Sequence, residues 1–137
     1  MRFLWLGFVA ACTSSSGGPA PDPPCVQDLP ASCQPTYDPP TWSTIHAKIL
    51  APTCATGKGT CHTPDFAPNG LVLADADASY AMLLDGRRVL PNNPSCSLLV
   101  KRLTSSDPSY RMPRGPTPLS AGDLCTITTW IANGAAK

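Results

Sequence analysis

The residues of this 137-residue chain whose types and spacing could do chemistry are two cysteines, a histidine and a methionine. Cys54 and Cys61 are separated by six residues, His62 follows directly, and Met112 comes fifty positions later. The two thiols can close a disulfide across the loop between them. With His46, the only other histidine, they also have the residue types of a zinc site, but the paired short gaps of zinc motifs are missing.

Four segments with helical periodicity are expected to position these residues. His46 belongs to the first, among Trp42, Ile45 and Ile49, so we expect a surface histidine or a satisfied helical one rather than a ligand. Alternating strand patterns are absent, and the sequence therefore predicts a small all-α domain with long proline-containing loops. The first segment is 41–50, which Pro52 should end, and the second is 77–85. The third is capped by Ser95 and has Cys96, Leu99 and Leu103 on one face. The fourth runs from Ser120 to Gly134.

The last of these segments has the clearest boundaries. Ser120, with Asp123 three residues later, predicts a capped start, and Gly134 predicts the end. Between them, Ile127 and Ile131 belong to an apolar stripe that should face the core.

The order of these features along the chain resembles a class I cytochrome c domain. Such a domain has a helix, then Cys…Cys-His, loops, Met and a capped terminal helix. A closer resemblance is to the cytochrome-like domains of environmental bacterial surface lipoproteins, including those of myxobacteria. The shared pieces are Ile49-Leu50-Ala51-Pro52, Cys61-His62, Gly70-Leu71-Val72-Leu73, Tyr80, Ser97-Leu98-Leu99, Met112-Pro113 and Trp130-Ile131-Ala132-Asn133-Gly134-Ala135.

The resemblance implies a covalently bound haem c. Cys54 and Cys61 would form thioether links to the ring, and His62 and Met112 would be the axial ligands of the iron. A chain of this kind is an electron carrier rather than an enzyme, and its partners are redox proteins that dock transiently.

The spacing of the cysteines departs from the usual haem-attachment motif, which has two residues between them where this chain has six. Residues 56–59 (Thr-Gly-Lys-Gly) read as an insertion that two glycines let loop out. The alternative is a Cys54–Cys61 disulfide in a haemless cytochrome-fold module that serves in binding or structure. The sequence leaves both open.

The remaining cysteines are expected to form disulfides, because the N-terminus predicts export to an oxidising compartment. Cys25 and Cys33 are close in sequence, which favours their pairing, and Cys96 would then pair with Cys125. Such bridges would staple the small domain.

The first residues of the chain are typical of an exported protein. Arg2 and a short apolar run are followed by Val9-Ala10-Ala11-Cys12, which resembles a bacterial lipobox. The resemblance implies cleavage after residue 11 and lipid on Cys12, with Thr13 favouring the outer membrane. Residues 12–40 hold eight prolines and predict an extended tether, followed by the domain at 41–137. A net charge of +1, with 14% charged residues, gives no basis for nucleic-acid binding.

Overall fold

The first helical segment begins at its expected boundary but extends beyond Pro52. The computed structural model describes residues 23–55 and 61–137. Helix α1 (Trp42–Ile45) starts where the hydroxyl of Thr41 accepts the amide proton of Thr44. The chain then continues as a π-helical stretch, His46–Ala55, with Pro52 inside it. The expected stop at Pro52 is therefore wrong. Proline lacks an N–H and clashes with a regular α-helical turn, and the wider π winding carries the chain past it.

Three further α-helices follow, as the periodicity predicts. Helix α2 spans Ala76–Leu84, α3 spans Leu98–Thr104 and α4 spans Ala121–Ala132, with a short 3-10 turn at Pro68–Gly70. Within the described residues there is no β-strand, only an isolated bridge between Thr63 and Phe66. The fold is thus a small all-α domain, as predicted. None of the helices in the described ranges is long and apolar enough to cross a membrane.

The start of α3 differs from the prediction. Ser97 rather than Ser95 precedes the helix, and its hydroxyl accepts the amide proton of Leu90 at 2.9 Å and donates to the carbonyl of Asn93 at 2.8 Å. Cys96 consequently lies in the turn before α3 and not on its apolar face. Helix α4 matches the prediction at both ends: the Ser120 hydroxyl accepts the Asp123 amide proton at 3.0 Å, and Gly134 follows with a φ of +95°.

The core forms where α1, the π-helical stretch and α4 meet. The indole of Trp42 lies 5.4 Å from the rings of both Tyr80 and Trp130, measured between centroids. Trp130 donates to the carbonyl of Ala136 at 2.7 Å, and the Tyr80 hydroxyl donates to that of Ala135 at 2.9 Å, so the C-terminus is held against the cluster. Other fully buried residues of this core are Ile45, Ile49, Leu50, Leu83, Val100, Ile127 and Ile131.

Residues 23–40, here called the N-terminal strap, run along the helices and are covalently attached to the turn before α3 and to α4. Cys25 is bonded to Cys96, and Cys33 to Cys125. The pairings Cys25–Cys33 and Cys96–Cys125 are therefore wrong, although all four cysteines do form disulfides. Both predicted pairs assumed that the strap stands apart from the domain. Instead, the amide of Val26 donates to the Ser95 carbonyl at 2.9 Å, which places Cys25 beside Cys96.

The strap also makes apolar and polar contacts along its length. Val26, Leu29 and Tyr37 pack against the core, and the amide of Thr36 donates to the carbonyl of Gly122 in α4 at 3.0 Å. Of the segment predicted as a tether, the described part is therefore fastened to the domain. The predicted leader, Cys12 and the insertion at 56–59 lie outside the described residues.

Candidate functional site

A cleft of about 1020 Å³ opens between the π-helical stretch, α3 and the loop that precedes α4. Cofactor and ligand sites in proteins usually enclose roughly 300–1,000 Å³, so the space suits a large ligand. Cys54, Cys61, His62 and Met112 all line it. The structure thus brings together the four residues that the sequence singled out, although 51 positions separate Cys61 from Met112.

His62 is held in place by three hydrogen bonds. Its amide donates to the carbonyl of Cys54 at 2.9 Å, and its carbonyl accepts from the amide of Leu73 at 2.8 Å. Its ring Nδ1 lies 2.9 Å from the carbonyl oxygen of Leu71. A carbonyl oxygen can only accept, so Nδ1 carries the proton of this bond and the neutral ring keeps its lone pair on Nε2. A fixed ring whose Nε2 has no hydrogen-bond partner in the described part of the chain is the arrangement of a histidine metal ligand and its outer-shell partner.

Cys54 and Cys61 are free, half-buried thiols. The disulfide that would have joined them in the alternative interpretation is not formed. Burial, and then the neighbouring Cys61, raise the pKa of Cys54 to about 11. Cys54 is therefore protonated at neutral pH, and in that state it is neither a nucleophile nor a metal ligand.

Met112 reaches the cleft on a long loop between α3 and α4. Its amide donates to the carbonyl of Arg102 at 2.9 Å, which fastens the middle of the loop to α3. Earlier in the loop the Ser109 hydroxyl and amide both bond to the carboxylate of Asp107, and these bonds hold the pKa of Asp107 below its ordinary value. The methionine is therefore presented by a loop with defined internal structure.

The walls of the cleft are mostly aliphatic, which suits a flat apolar ligand. Three arginines and one aspartate are the charged residues among those that line it. The aliphatic and charged lining residues are Leu50, Leu71, Leu73, Leu83, Leu98, Leu99, Leu103, Leu119, Arg88, Arg102, Arg114 and Asp123.

Arg88 has a structural role that its sequence context does not reveal. Its guanidinium donates to the carbonyls of Met82 and Asn69, each at 2.8 Å, and so joins two walls of the cleft. A Cβ on Gly86 would collide with the backbone carbonyl of Met82 as well as with this guanidinium, which explains the glycine at the end of α2. In the sequence, the adjacent Arg87 and Arg88 indicate a solvated pair of charges by default, with a haem propionate or a redox partner as the alternative contact.

His46 does not line the cleft. Its Nε2 lies 3.0 Å from the carbonyl oxygen of Leu73, and its ring lies 5.6 Å from that of Trp42. Of the two expected alternatives, His46 is the satisfied helical histidine and not a surface one. Among the described residues, no group of three or more His, Cys, Asp or Glu side chains could hold a metal ion.

Sequence comparison with known families agrees with this geometry. A family described as planctomycete cytochrome C matches residues 59–115. The match supports a cytochrome c-like domain, and it contains Cys61, His62 and Met112 but neither Cys54 nor α4. No curated protein and no solved structure matches the chain.

Proposed function

We propose that this chain is a small monohaem c-type electron carrier tethered to a membrane of the cell envelope. The observation that carries the proposal is the convergence of Cys54, Cys61, His62 and Met112 on one largely aliphatic cleft. Bound there, a haem would supply an iron that alternates between ferrous and ferric states and exchanges one electron at a time.

The residues fit that group in four respects. His62 keeps Nε2 free for the iron, because Nδ1 is bonded to the Leu71 carbonyl. Cys54 and Cys61 are free, so both thiols are available to form thioether links. Met112 would offer a soft thioether as a second ligand to the iron, which would raise the reduction potential relative to a second histidine. The aliphatic walls would exclude water from the ring.

The location in the envelope rests on the N-terminal sequence. The short apolar run and Val9-Ala10-Ala11-Cys12 support export and lipid attachment at Cys12, as in surface lipoproteins of the myxobacterial type. Thr13 favours the outer membrane. The partners would be redox proteins of the envelope, and the chain would pass electrons without catalysing a reaction.

A second candidate is a haemless cytochrome-fold module that binds a partner or serves in assembly. Two observations favour it: six residues separate Cys54 from Cys61, and the family match starts at residue 59, beyond Cys54. With Cys54 and Cys61 free, such a module would be stapled by two disulfides rather than three.

An absorption spectrum separates the two candidates. The full-length protein is expressed together with haem-attachment machinery, and spectra are recorded oxidised, reduced and after denaturation. We expect sharp bands in the reduced state that stay with the denatured chain, because the links are covalent. A colourless protein from cells that load a control cytochrome c would overturn the electron-carrier proposal.

The two histidines provide a matched control for the site. Each ring is bonded to a carbonyl oxygen of the 71–73 segment, but only His62 lines the cleft. We expect His62→Gln to abolish the reduced bands and His46→Gln to leave their positions unchanged. Equal effects of the two substitutions would argue against His62 as the iron ligand.

The lipid anchor is tested separately, by fractionation of cells that express the wild type or Cys12→Ala. We expect the wild type in the membrane fraction with a lipid-sized mass increase, and the variant without it. A wild-type chain with no added lipid mass would refute the anchor while leaving the haem proposal intact.

A further inference from the structure

We propose that Arg102 is a positioning residue that holds Met112 in the cleft and thereby sets how firmly this methionine occupies its ligand position. The inference rests on the proposed function, because it concerns the methionine as an iron ligand. It goes beyond that proposal by naming the residue on which the methionine depends.

The loop that carries Met112 needs such a residue. The chain lies outside any helix from residue 105, directly after α3, to residue 119, directly before the Ser120 cap. Residues 106–109 are exposed, and so are 114–118. The stretch between them, residues 110–113, is half-buried and carries the methionine. Whatever holds this short stretch therefore decides where Met112 lies.

Arg102 makes three contacts with this stretch. Its carbonyl accepts the amide proton of Met112 at 2.9 Å, and its Nη1 donates to the carbonyl of Tyr110 at 3.0 Å. Its guanidinium carbon also lies 3.8 Å from the centre of the Tyr110 ring. One residue of α3 thus contacts both Met112 and Tyr110, through two hydrogen bonds and one cation–ring contact.

The type of side chain matters for this arrangement. A planar guanidinium can lie on an aromatic ring and donate from its edge at the same time, whereas a lysine ammonium cannot satisfy both geometries. Arg102 is half-buried and lines the cleft, where weaker solvent screening strengthens both contacts.

The functional consequence follows from competition at the iron. A thioether is a weak ligand, so an added ligand such as imidazole competes with it. The apparent affinity for the added ligand rises as the fraction of molecules with Met112 in place falls. Loss of the Arg102 side chain lowers that fraction, and the reduction potential falls with it because the methionine is what raises it.

The test uses the haem-loaded protein and compares Arg102→Gln with Lys101→Gln. Both remove one cation from α3, but the side chain of Lys101 makes no hydrogen bond or ion pair with the described part of the chain. We expect Arg102→Gln to tighten imidazole binding about tenfold or more, a shift of about 1.4 kcal/mol, and to lower the potential. Lys101→Gln should stay within about twofold of the wild type. Arg102→Lys should resemble Arg102→Gln, because the charge alone does not restore the contacts.

A second variant and a second readout keep the test decisive. Tyr110→Leu removes the ring but keeps the carbonyl, so it should tighten imidazole binding in the same direction by a smaller factor. In the haem-free protein, hydrogen exchange at the Met112 amide should be faster in Arg102→Gln than in Lys101→Gln.

The outcomes separate the inference from the proposed function. If Arg102→Gln and Lys101→Gln bind imidazole equally and share one potential, Arg102 does not position Met112, although the protein remains a cytochrome. If Arg102→Gln does not fold, an unchanged affinity in Tyr110→Leu leads to the same conclusion. A wild type without haem refutes the proposed function. Equal exchange rates in the haem-free variants would then also refute the holding role of Arg102.

Discussion

The six cysteines of the described residues fall into two groups that behave in opposite ways. The four that bridge the strap to the rest of the domain are far apart in sequence, with 71 positions between Cys25 and Cys96 and 92 between Cys33 and Cys125. Cys54 and Cys61 are the nearest in sequence, and they are free. The bridged cysteines fasten the outside of the domain, whereas the free pair lines its cleft.

The difference shows that the path of the chain, and not distance in sequence, selects the partners. The strap lies across the turn before α3 and across α4, so it brings Cys25 to Cys96 in that turn and Cys33 to Cys125 in α4. Bridges that close long loops also restrict the unfolded chain most, which suits them to stabilise a domain of this size. The cleft cysteines form no such bridge, so they do not stabilise the domain in this way and remain available for chemistry.

The largest expected effect comes from removal of a bridge. The loops closed by the two disulfides correspond to about 4–5 kcal/mol each in the free energy of unfolding. We expect the double variant Cys33→Ala, Cys125→Ala to lose about that much by denaturant unfolding of the haem-free protein. The matched double variant Cys54→Ala, Cys61→Ala should lose about 1 kcal/mol, since it removes two small half-buried groups. Similar losses in the two variants would contradict the division of roles.

A smaller effect is expected from the ionisation of Cys54. In the unfolded chain its thiol has its ordinary pKa of 9.0, and in the folded protein the pKa is raised to about 11. The folded state therefore binds the proton more tightly. The protonated Cys54 thiol therefore adds to the free energy of unfolding. This contribution is fully present below pH 9, and it is lost as the pH rises through about 11. The loss amounts to roughly 2–3 kcal/mol.

The measurement is denaturant unfolding of the haem-free protein from neutral pH to about pH 11, in oxygen-free buffer, which prevents new disulfides. Cys54→Ala is the control, and its stability should fall less over the same range. An identical pH dependence in both proteins would mean that the Cys54 thiol is not buried in the folded state. The wild type should also alkylate more slowly at Cys54 than an unfolded chain does at the same pH.

The helices could be predicted because their signals are local. The Ser120 cap, the stripe with Ile127 and Ile131, and the Gly134 stop all act within a few residues, and each lies where the sequence predicts it. The extension of the first helix past Pro52 could not be predicted, because a proline ordinarily ends a helix and the π-helical winding that admits it has no sequence signature.

The sequence indicates the candidate residues of the site but not the contacts that hold them in position. The order of Cys54, Cys61, His62 and Met112 along the chain resembles that of a class I cytochrome c domain, and this resemblance singled out four residues that line one cleft in the structure. The carbonyl of Leu71 that orients His62, and the contacts of Arg102 with the methionine loop, depend on loop conformations that no periodicity encodes. The disulfide pairings failed for the same reason, since the strap has no periodic pattern.

The smallest expected effect tests whether the bridge and the helix cap stabilise α4 independently. Ser120→Ala leaves the Asp123 amide without its side-chain acceptor and should cost about 1 kcal/mol in the free energy of unfolding. The cap acts on the folded helix and the Cys33–Cys125 bridge acts mainly on the unfolded chain, so the two losses should add within about 0.5 kcal/mol. Ser106→Ala, at an exposed serine, is the control and should change stability by less than about 0.5 kcal/mol. If Ser120→Ala instead became much more costly without the bridge, the strap would be holding the first turn of α4 in the folded protein, and the contact between Thr36 and Gly122 would be the place to look for that coupling.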